Sequence, residues 1–190
     1  TLADTMMKYR KNDIAKNLGL ETKDNWSDIN VSDQTNVVWD KVRGMNDDEK
    51  GKFLRQMRTR DLLSDDLETQ VAGRIYETLD DTSMENKYRN AAERFSSDSM
   101  LYADIRKKMA EDIVDKMGGM NAEDAQKEYQ SFFDLAWKDK NFKEDYKEAV
   151  KMSAMDSEEK KFYRMNVEKG ERAEAIWKKS KGMDEQARVE

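Results

Sequence analysis

The sequence predicts an all-α protein built of about ten short-to-medium helices in an irregular or array-like bundle. Its 190 residues contain no proline, the residue that marks strand edges, turns and loops in most folds. No stretch of six residues alternates β-branched and aromatic residues with polar ones, so strand signals are missing. Apolar residues instead recur every three or four positions, which is the spacing of one helix face.

The first predicted helix runs to about Leu18 and carries Met7 and Ile14 on the same stripe. Gly19 follows it, and we expect this glycine to adopt the left-handed conformation that commonly ends helices. A polar loop around Trp26 then leads to the second helix.

The next four helices each begin after a residue whose side chain can accept from a free backbone N–H. Two of these starts, Asn46 with Glu49 and Thr82 with Glu85, have the three-residue spacing of a capping box. The expected starts, each with its apolar stripe, are Ser32 (Val38, Trp39, Val42), Asn46 (Phe53, Leu54, Met57), Ser64 (Leu67, Val71, Ile75, Leu79) and Thr82 (Met84, Tyr88, Ala91, Phe95).

The second half of the chain predicts five further helices. The clearest has an apolar residue at every fourth position and ends at Gly118 and Gly119. The expected starts are Leu101 (stripe Ile105, Met109, Ile113, Met117), Asn121 (Ala125, Tyr129, Phe132, Phe133, Ala136), Asn141 (Phe142, Tyr146, Ala149, Val150), Asp156 (Phe162, Met165) and the region of Ala173 (Ile176, Trp177).

The absence of histidine and cysteine removes most catalytic and cofactor chemistry. Ser-His-Asp and Cys-His sites cannot form, and neither can zinc sites that need imidazole or thiolate ligands. The glycines form no phosphate-binding loop motif. We therefore expect a protein that is not an enzyme and has no cofactor, metal site or small-molecule substrate. A pair of catalytic carboxylates, drawn from 41 acidic residues, is the remaining enzymatic alternative.

Charge and hydropathy indicate a thin core. Charged residues make up 40% of the chain and apolar residues 37%, and the mean hydropathy is −1.08. A core of this kind often gains further burial from a partner protein or from other copies of the chain. No apolar stretch is long enough to span a bilayer, so we expect no membrane segment. The lack of cysteine favours an intracellular location or a virion interior.

One stretch of sequence is locally basic, although the net charge of the chain is −6. Lys50, Lys52, Arg55, Arg58 and Arg60 follow one another with no acidic residue between them. Such a helix face can contact phosphate groups, and hence nucleic acid. Acidic residues flank the stretch on both sides, which favours the alternative of an ordinary solvated helix face.

A second candidate surface is aromatic. Tyr129, Phe132, Phe133 and Trp137 carry more aromatic bulk than one slender helix needs to bury. Aromatic stripes at this spacing are usually core, but they also form surfaces that bind protein partners. The sequence alone leaves both interpretations open.

Two ten-residue segments resemble each other. Residues 38–47 and 176–185 share an aliphatic residue, Trp, Lys, a second base, Gly, Met, and an amide or acid followed by an acid. The repeat leads to the hypothesis that the chain is part of a longer helical protein. For the chain itself we expect one all-α region over 1–190, with two sub-bundles, 1–96 and 97–190, as the alternative.

These observations favour a non-catalytic structural, assembly or protein-interaction component. A processed virion-internal or scaffolding protein is one specific form of this hypothesis. The first alternative is an acidic regulator or inhibitor that binds a basic protein surface. The second is a nucleic-acid contact through Lys50 to Arg60.

Overall fold

The computed structural model describes residues 1–155, and this part of the chain is helical throughout, with no strand. The all-α prediction is therefore confirmed for these residues. The helices are α1 (Leu2–Asn17), α2 (Val31–Val42), α3 (Asp47–Thr59), α4 (Asp65–Glu77), α5 (Met84–Phe95), α6 (Ser99–Met117), α7 (Ala122–Ala136) and α8 (Lys140–Ser153), with a short 3₁₀ helix at Trp26–Asp28.

Eight helices are present over residues 1–155 rather than about ten, and each corresponds to one that the sequence predicts there. The two remaining predicted helices, at Asp156 and near Ala173, lie outside the described residues, as does the second copy of the repeat. Residues Thr1–Tyr146 form one compact unit and Lys147–Glu190 form another, of which the described part is the end of α8 and the turn after it. The predicted domain organisation extends to residue 190 and stays a prediction.

Three helices are capped at their N-termini by the amide or hydroxyl side chains that the sequence predicts. The Asn46 side chain accepts from the backbone N–H of Glu49 at 2.9 Å, and the Glu49 carboxylate accepts from the backbone N–H of Asn46 at 3.2 Å. This is the predicted capping box of α3. Ser64 and Asn121 cap α4 and α7 as predicted.

Three predicted caps are wrong by one or two residues. Asn30, not Ser32, caps α2, and Ser83, not Thr82, caps α5. The hydroxyl of Thr82 instead donates to the carboxylate of Asp80 at 2.9 Å. The third, Asn141, lies inside α8, which begins at Lys140, and its backbone N–H donates to the carboxylate of Asp139 at 2.9 Å. Several neighbouring residues in these turns can act as caps, so the sequence locates the turn better than the cap itself.

The buried face of α1 differs from the predicted one. Asn12 and Ala15 are buried, whereas Met7 of the predicted stripe is 58% exposed. The Asn12 side chain accepts from the backbone N–H of Trp26 at 3.2 Å, and Trp26 is itself buried. Asn12 is therefore buried because its side chain satisfies the backbone N–H of Trp26, which has no partner within a helix.

The core lies between α4 and α6, which make the most extensive contact of any two helices in residues 1–155. α2 packs on α4, and α5 packs on both α6 and α7. The i, i+4 stripes of α4 and α6 are buried, except for Met117, the last residue of α6, which is half-buried. The largest fully buried side chains are Phe95, Phe132, Phe142, Leu20, Met57, Leu67, Ile75, Ile105, Met109, Ile113, Val38 and Val42.

Ion pairs between arginine and carboxylate groups connect neighbouring helices around this core. Arg94 of α5 makes two hydrogen bonds to Asp47 at the start of α3, at 2.9 and 3.0 Å. These bonds hold the pKa of Asp47 below its usual value. Arg106 of α6 donates to Asp145 of α8 at 2.7 Å, and the two side chains are 12% and 14% exposed. The mixed charges of the sequence thus serve in part to join helices.

Candidate interaction surfaces

Two of the five bases in the predicted basic stretch point inward. The Lys50 side chain is 7% exposed, and its ammonium donates to the backbone carbonyl of Met45 at 2.8 Å. The Arg58 guanidinium forms an ion pair with Glu68 of α4. Both groups therefore belong to the contacts that hold α3 in place.

The other three bases border a shallow open groove on α3. Lys52, Arg55 and Arg60 line it together with Gln56 and Thr59. Arg55 already donates to Asp98, the capping residue of α6, at 2.6 Å. Neither Lys52 nor Arg60 forms an ion pair within residues 1–155. An anion would thus meet two free cations instead of the five that the sequence suggests, which weakens the nucleic-acid alternative.

Two carboxylates that the sequence did not single out lie together near Arg58. Asp104 of α6 is hydrogen-bonded to Glu68, and burial followed by the charge of Glu68 raises the pKa of Asp104 to about 7. The nearby cations Lys107 and Arg58 oppose this rise. The two acids come from helices that are adjacent only in the folded chain, so no sequence spacing could reveal them.

This pair does not have the geometry of a carboxylate active site. Catalytic pairs of glycosidases hold their carboxyl groups about 5 Å apart or more, with room for substrate or water between them. Here Glu68 lies close enough to Asp104 to raise its pKa through charge and hydrogen bonding, and neither group lines either groove described in this section. We interpret Glu68 and Asp104 as a proton-sharing contact between α4 and α6.

A second polar cluster lies where α4, α5 and α6 meet. The Tyr76 hydroxyl donates to Asp112, while Lys116 donates to the same carboxylate at 2.6 Å and the Lys87 ammonium lies 3.6 Å from it. Burial, and then the hydrogen bond to Asp112, raises the pKa of Tyr76. Burial alone would raise the pKa of Asp112, but the hydrogen bonds from Lys116 and Tyr76 outweigh it and lower that pKa. The cluster satisfies polar groups that are largely buried, with only Lys116 exposed to a large extent.

Of the predicted aromatic residues, Phe132 is core. It is 1% exposed and makes edge-to-face contacts with Tyr88 at 6.2 Å and Phe142 at 5.5 Å between ring centroids. The core interpretation of the sequence holds for this residue. Tyr129 is half-buried and does not line the groove described next.

Phe133 and Trp137 of the same stripe face an open groove together with Tyr146 of α8. The three ring centroids lie 5.4–5.9 Å apart, and each pair of rings is close to perpendicular. Trp137 is 40% exposed, and the groove has a volume of about 470 Å³. We call Phe133, Trp137 and Tyr146 the aromatic groove. The sequence missed Tyr146 as a groove residue, because its place depends on how α8 packs on α7.

Charged groups border the aromatic groove. Asp134 and Lys138, one turn apart on α7, both line it. Asp134 accepts a hydrogen bond of 2.7 Å from the neutral amide of Gln130, so its charge is not cancelled. The Lys143 ammonium lies 5.7 Å from the centroid of the Trp137 ring. The groove thus has an acidic and a basic side.

A second apolar surface lies on α1. Leu2, Met6 and Tyr9, at i, i+4 and i+7, are 78%, 64% and 60% exposed. At 100° per residue this stripe lies about 120° around the helix from Asn12 and Ala15, the two residues that α1 buries. We call Leu2, Met6 and Tyr9 the outer α1 face. The spacing is visible in the sequence, but only the packing of α1 shows that the rest of residues 1–155 leaves this face exposed.

The described residues carry no sign of a metal or membrane site. Residues 1–155 contain no group of three or more potential ligand side chains placed to bind a metal ion. None of the helices in this part of the chain is long and apolar enough to cross a membrane. Comparison of the chain with family models, curated proteins and solved structures found no match.

Proposed function

We propose that this chain is a non-catalytic protein-interaction component of a structural or assembly kind. The observation that carries the proposal is the aromatic groove: three large rings, one of them 40% exposed, line a cleft that is bordered by Gln130, Asp134 and Lys138. Interfaces are enriched in Trp, Tyr and Phe, and such side chains supply much of their binding energy.

The outer α1 face supports the same proposal. Four of the eight large apolar side chains that are exposed in residues 1–155 lie on α1: Leu2, Met6, Met7 and Tyr9. Apolar side chains scattered singly over a surface need no explanation, whereas a group of them on one helix face is typical of a contact surface. The partner is another protein or a second copy of this chain.

A scaffolding or virion-internal role, and an intracellular location, are the finer forms of this proposal. They rest on the composition of the sequence, in particular on the lack of cysteine and the thin core. The acidic-regulator alternative needs a continuous acidic surface. Many described carboxylates instead pair with bases of neighbouring helices, for example Asp47 with Arg94 and Asp145 with Arg106, so this alternative is less favoured.

Light scattering combined with affinity capture tests the proposal. We expect an average mass above the 22.3 kDa of one chain, or a captured protein partner. Trp137→Ala should reduce association about tenfold or more, because it removes a central aromatic contact. Met100→Ala is the matched control, since Met100 is also exposed but lies on α6. A chain that stays monomeric and captures nothing would contradict the proposal.

A further inference from the structure

Helix α3 has a small apolar contact with the rest of the core. It buries three apolar side chains, Phe53, Leu54 and Met57, whereas α4 and α6 bury five each. Within residues 1–155, its most extensive contact with another helix is with α2, and this contact is much smaller than that of α4 with α6 or of α5 with α7. The attachment of α3 therefore depends on other interactions as well.

Three ion pairs attach α3 to three other helices. The pairs are Arg55–Asp98 with α6, Arg58–Glu68 with α4, and Asp47–Arg94 with α5. In each pair at least one of the two side chains is 22% exposed or more, so dissolved ions can reach the charged groups. Ion pairs that solvent can reach become weaker as the salt concentration rises.

The carboxylates of these pairs keep a favourable environment when the pairs break. One oxygen of Asp98 accepts from Arg55, while the other accepts from the backbone N–H of Leu101 and caps α6. Asp47 and Glu68 each lie in the first turn of a helix, where free N–H groups and the helix dipole stabilise a negative charge. Moving α3 away therefore leaves none of these carboxylates without a compensating partner.

The turns on either side of α3 fit a motion of the whole helix. The chain enters α3 through an exposed turn at Gly44, where an added side chain would meet nothing within 4 Å. It leaves α3 through Asp61, and Leu62 and Leu63 directly after this residue are buried. The capping box at Asn46 is closed within α3 itself, so the helix keeps its N-terminal cap as it moves.

We propose that α3 is a lid whose opening depends on ionic strength. At low salt its three ion pairs hold it closed. At high salt the pairs are screened, and α3 swings out between Gly44 and Asp61 and exposes Phe53, Leu54 and Met57, while α4 and α6 stay folded. This opening is independent of the aromatic groove on which the proposed function rests.

Thiol labelling at a buried position measures the opening, because the chain has no cysteine of its own. Met57→Cys places a thiol on the inner side of α3, where the Met57 side chain is 0% exposed. Met109→Cys is the matched control, since it makes the same substitution on α6 at a side chain that is 1% exposed. An uncharged maleimide labels either thiol only when the site opens.

The two thiols should respond differently to salt. Between about 0.01 M and about 1 M NaCl the screening length falls from about 30 Å to about 3 Å. Over this range the labelling rate of Met57→Cys should rise about tenfold, because three ion pairs of α3 are weakened together. The labelling rate of Met109→Cys should stay constant, since the contact of α6 with α4 is mainly apolar.

One of the ion pairs can be removed without removing the cap of α6. Asn caps helices as well as Asp does, so Asp98→Asn keeps the cap and loses the charge that pairs with Arg55. Added to Met57→Cys, it should raise the labelling rate at low salt about fivefold and reduce the effect of salt. Asp115→Asn, at an exposed acid of α6, should change neither.

Circular dichroism of every variant checks that the helices are retained. If Met57→Cys does not fold, Leu54→Cys on the same side of α3 takes its place, at a side chain that is 3% exposed. Three results would overturn the proposed lid. They are a labelling rate on α3 that does not change with salt, an equal change at Met109→Cys, or no effect of Asp98→Asn.

Discussion

Asp61, directly after α3, has the backbone conformation that glycine usually provides at the end of a helix. Its φ is 58°, and the backbone N–H of Leu62 donates to the carbonyl of Met57 at 2.9 Å, which is the bond that closes a Schellman turn. The left-handed conformation costs an L-residue about 1 kcal/mol, and less for Asp than for most others. The sequence predicts this conformation at Gly19, where φ is 78°, but gives no such signal at Asp61.

Asp61→Gly should therefore raise the free energy of unfolding by about 0.5–1 kcal/mol. The substitution also removes the 3.5 Å ion pair with Lys11, but the Asp61 side chain is 89% exposed and such pairs contribute little. Urea unfolding followed by circular dichroism measures the change. Asp61→Ala removes the same ion pair while keeping a β-carbon, so an equal gain in stability there would contradict the backbone explanation.

Asp104 should make stability depend on pH. Its pKa in the folded chain is about 7, well above that of an unfolded aspartate, because of burial and the neighbouring Glu68. The folded state therefore holds more protons than the unfolded state between about pH 4 and pH 7, and stability falls as pH rises through this window. The groups that face Asp104 are Glu68 of α4, Arg58 of α3 and Lys107 of its own helix.

Asp104→Asn should remove this fall and stabilise the chain at pH 8 by on the order of 1 kcal/mol. Thermal unfolding of both chains at pH 5 and pH 8 measures the difference. Asp40→Asn, a change at an exposed acid of α2, serves as the control. Equal pH slopes for the wild type and Asp104→Asn would show that the pair does not share a proton.

At the scale of single elements, the sequence predicts where helices begin and end better than it predicts which side chains meet. A cap such as Asn46 or a stop such as Gly119 acts within a few residues, so its signal is local. Whether a basic side chain is paired or free depends instead on residues that are distant in the sequence. Arg55 donates to Asp98, which is 43 positions away in the sequence. Because this ion pair neutralises its charge, Arg55 no longer counts among the free cations of the predicted basic surface.

The same dependence on distant residues explains why only part of the predicted aromatic surface is exposed. Phe132 and Phe133 are adjacent on α7 and look alike in the sequence. α5 and α8 cover the first, through Tyr88 and Phe142, while the second faces the groove. Only the arrangement of neighbouring helices distinguishes them.

The contact between α6 and α8 gives an element-scale prediction. Arg106→Met leaves Asp145 buried without its cation and should cost about 2–3 kcal/mol at pH 7. Burial already outweighs Arg106 and raises the pKa of Asp145. The loss should thus shrink at pH 5, where the carboxyl group can take up a proton.

Chemical unfolding at the two pH values measures this effect. The double variant Arg106→Met, Asp145→Leu should recover most of the loss, since no buried charge remains. If the double variant were as unstable as the single one, the loss would come from the contact of the Arg106 guanidinium with the Tyr102 ring and not from the unpaired charge of Asp145.

At the scale of the whole molecule, a polar composition coexists with a well-defined core. A mean hydropathy of −1.08 would suit a disordered chain, yet Leu67, Val71 and Ile75 of α4 and Ile105, Met109 and Ile113 of α6 are at most 1% exposed. Inter-helix arginine pairs such as Arg94 with Asp47 supplement this core. The apolar side chains left over, on α1 and in the aromatic groove, are the basis of the proposed function.

A cross-linking measurement tests the aromatic groove most directly. The chain has no cysteine, so a single-cysteine variant gives a background free of other thiols. Gln130→Cys, which borders the groove, should form a covalent product with a protein partner or a second copy of the chain when it carries a thiol-linked photo-cross-linker. Met100→Cys on α6, an exposed position away from the groove, should form no such product. Equal cross-linking by the two variants, or none by either, would contradict the account.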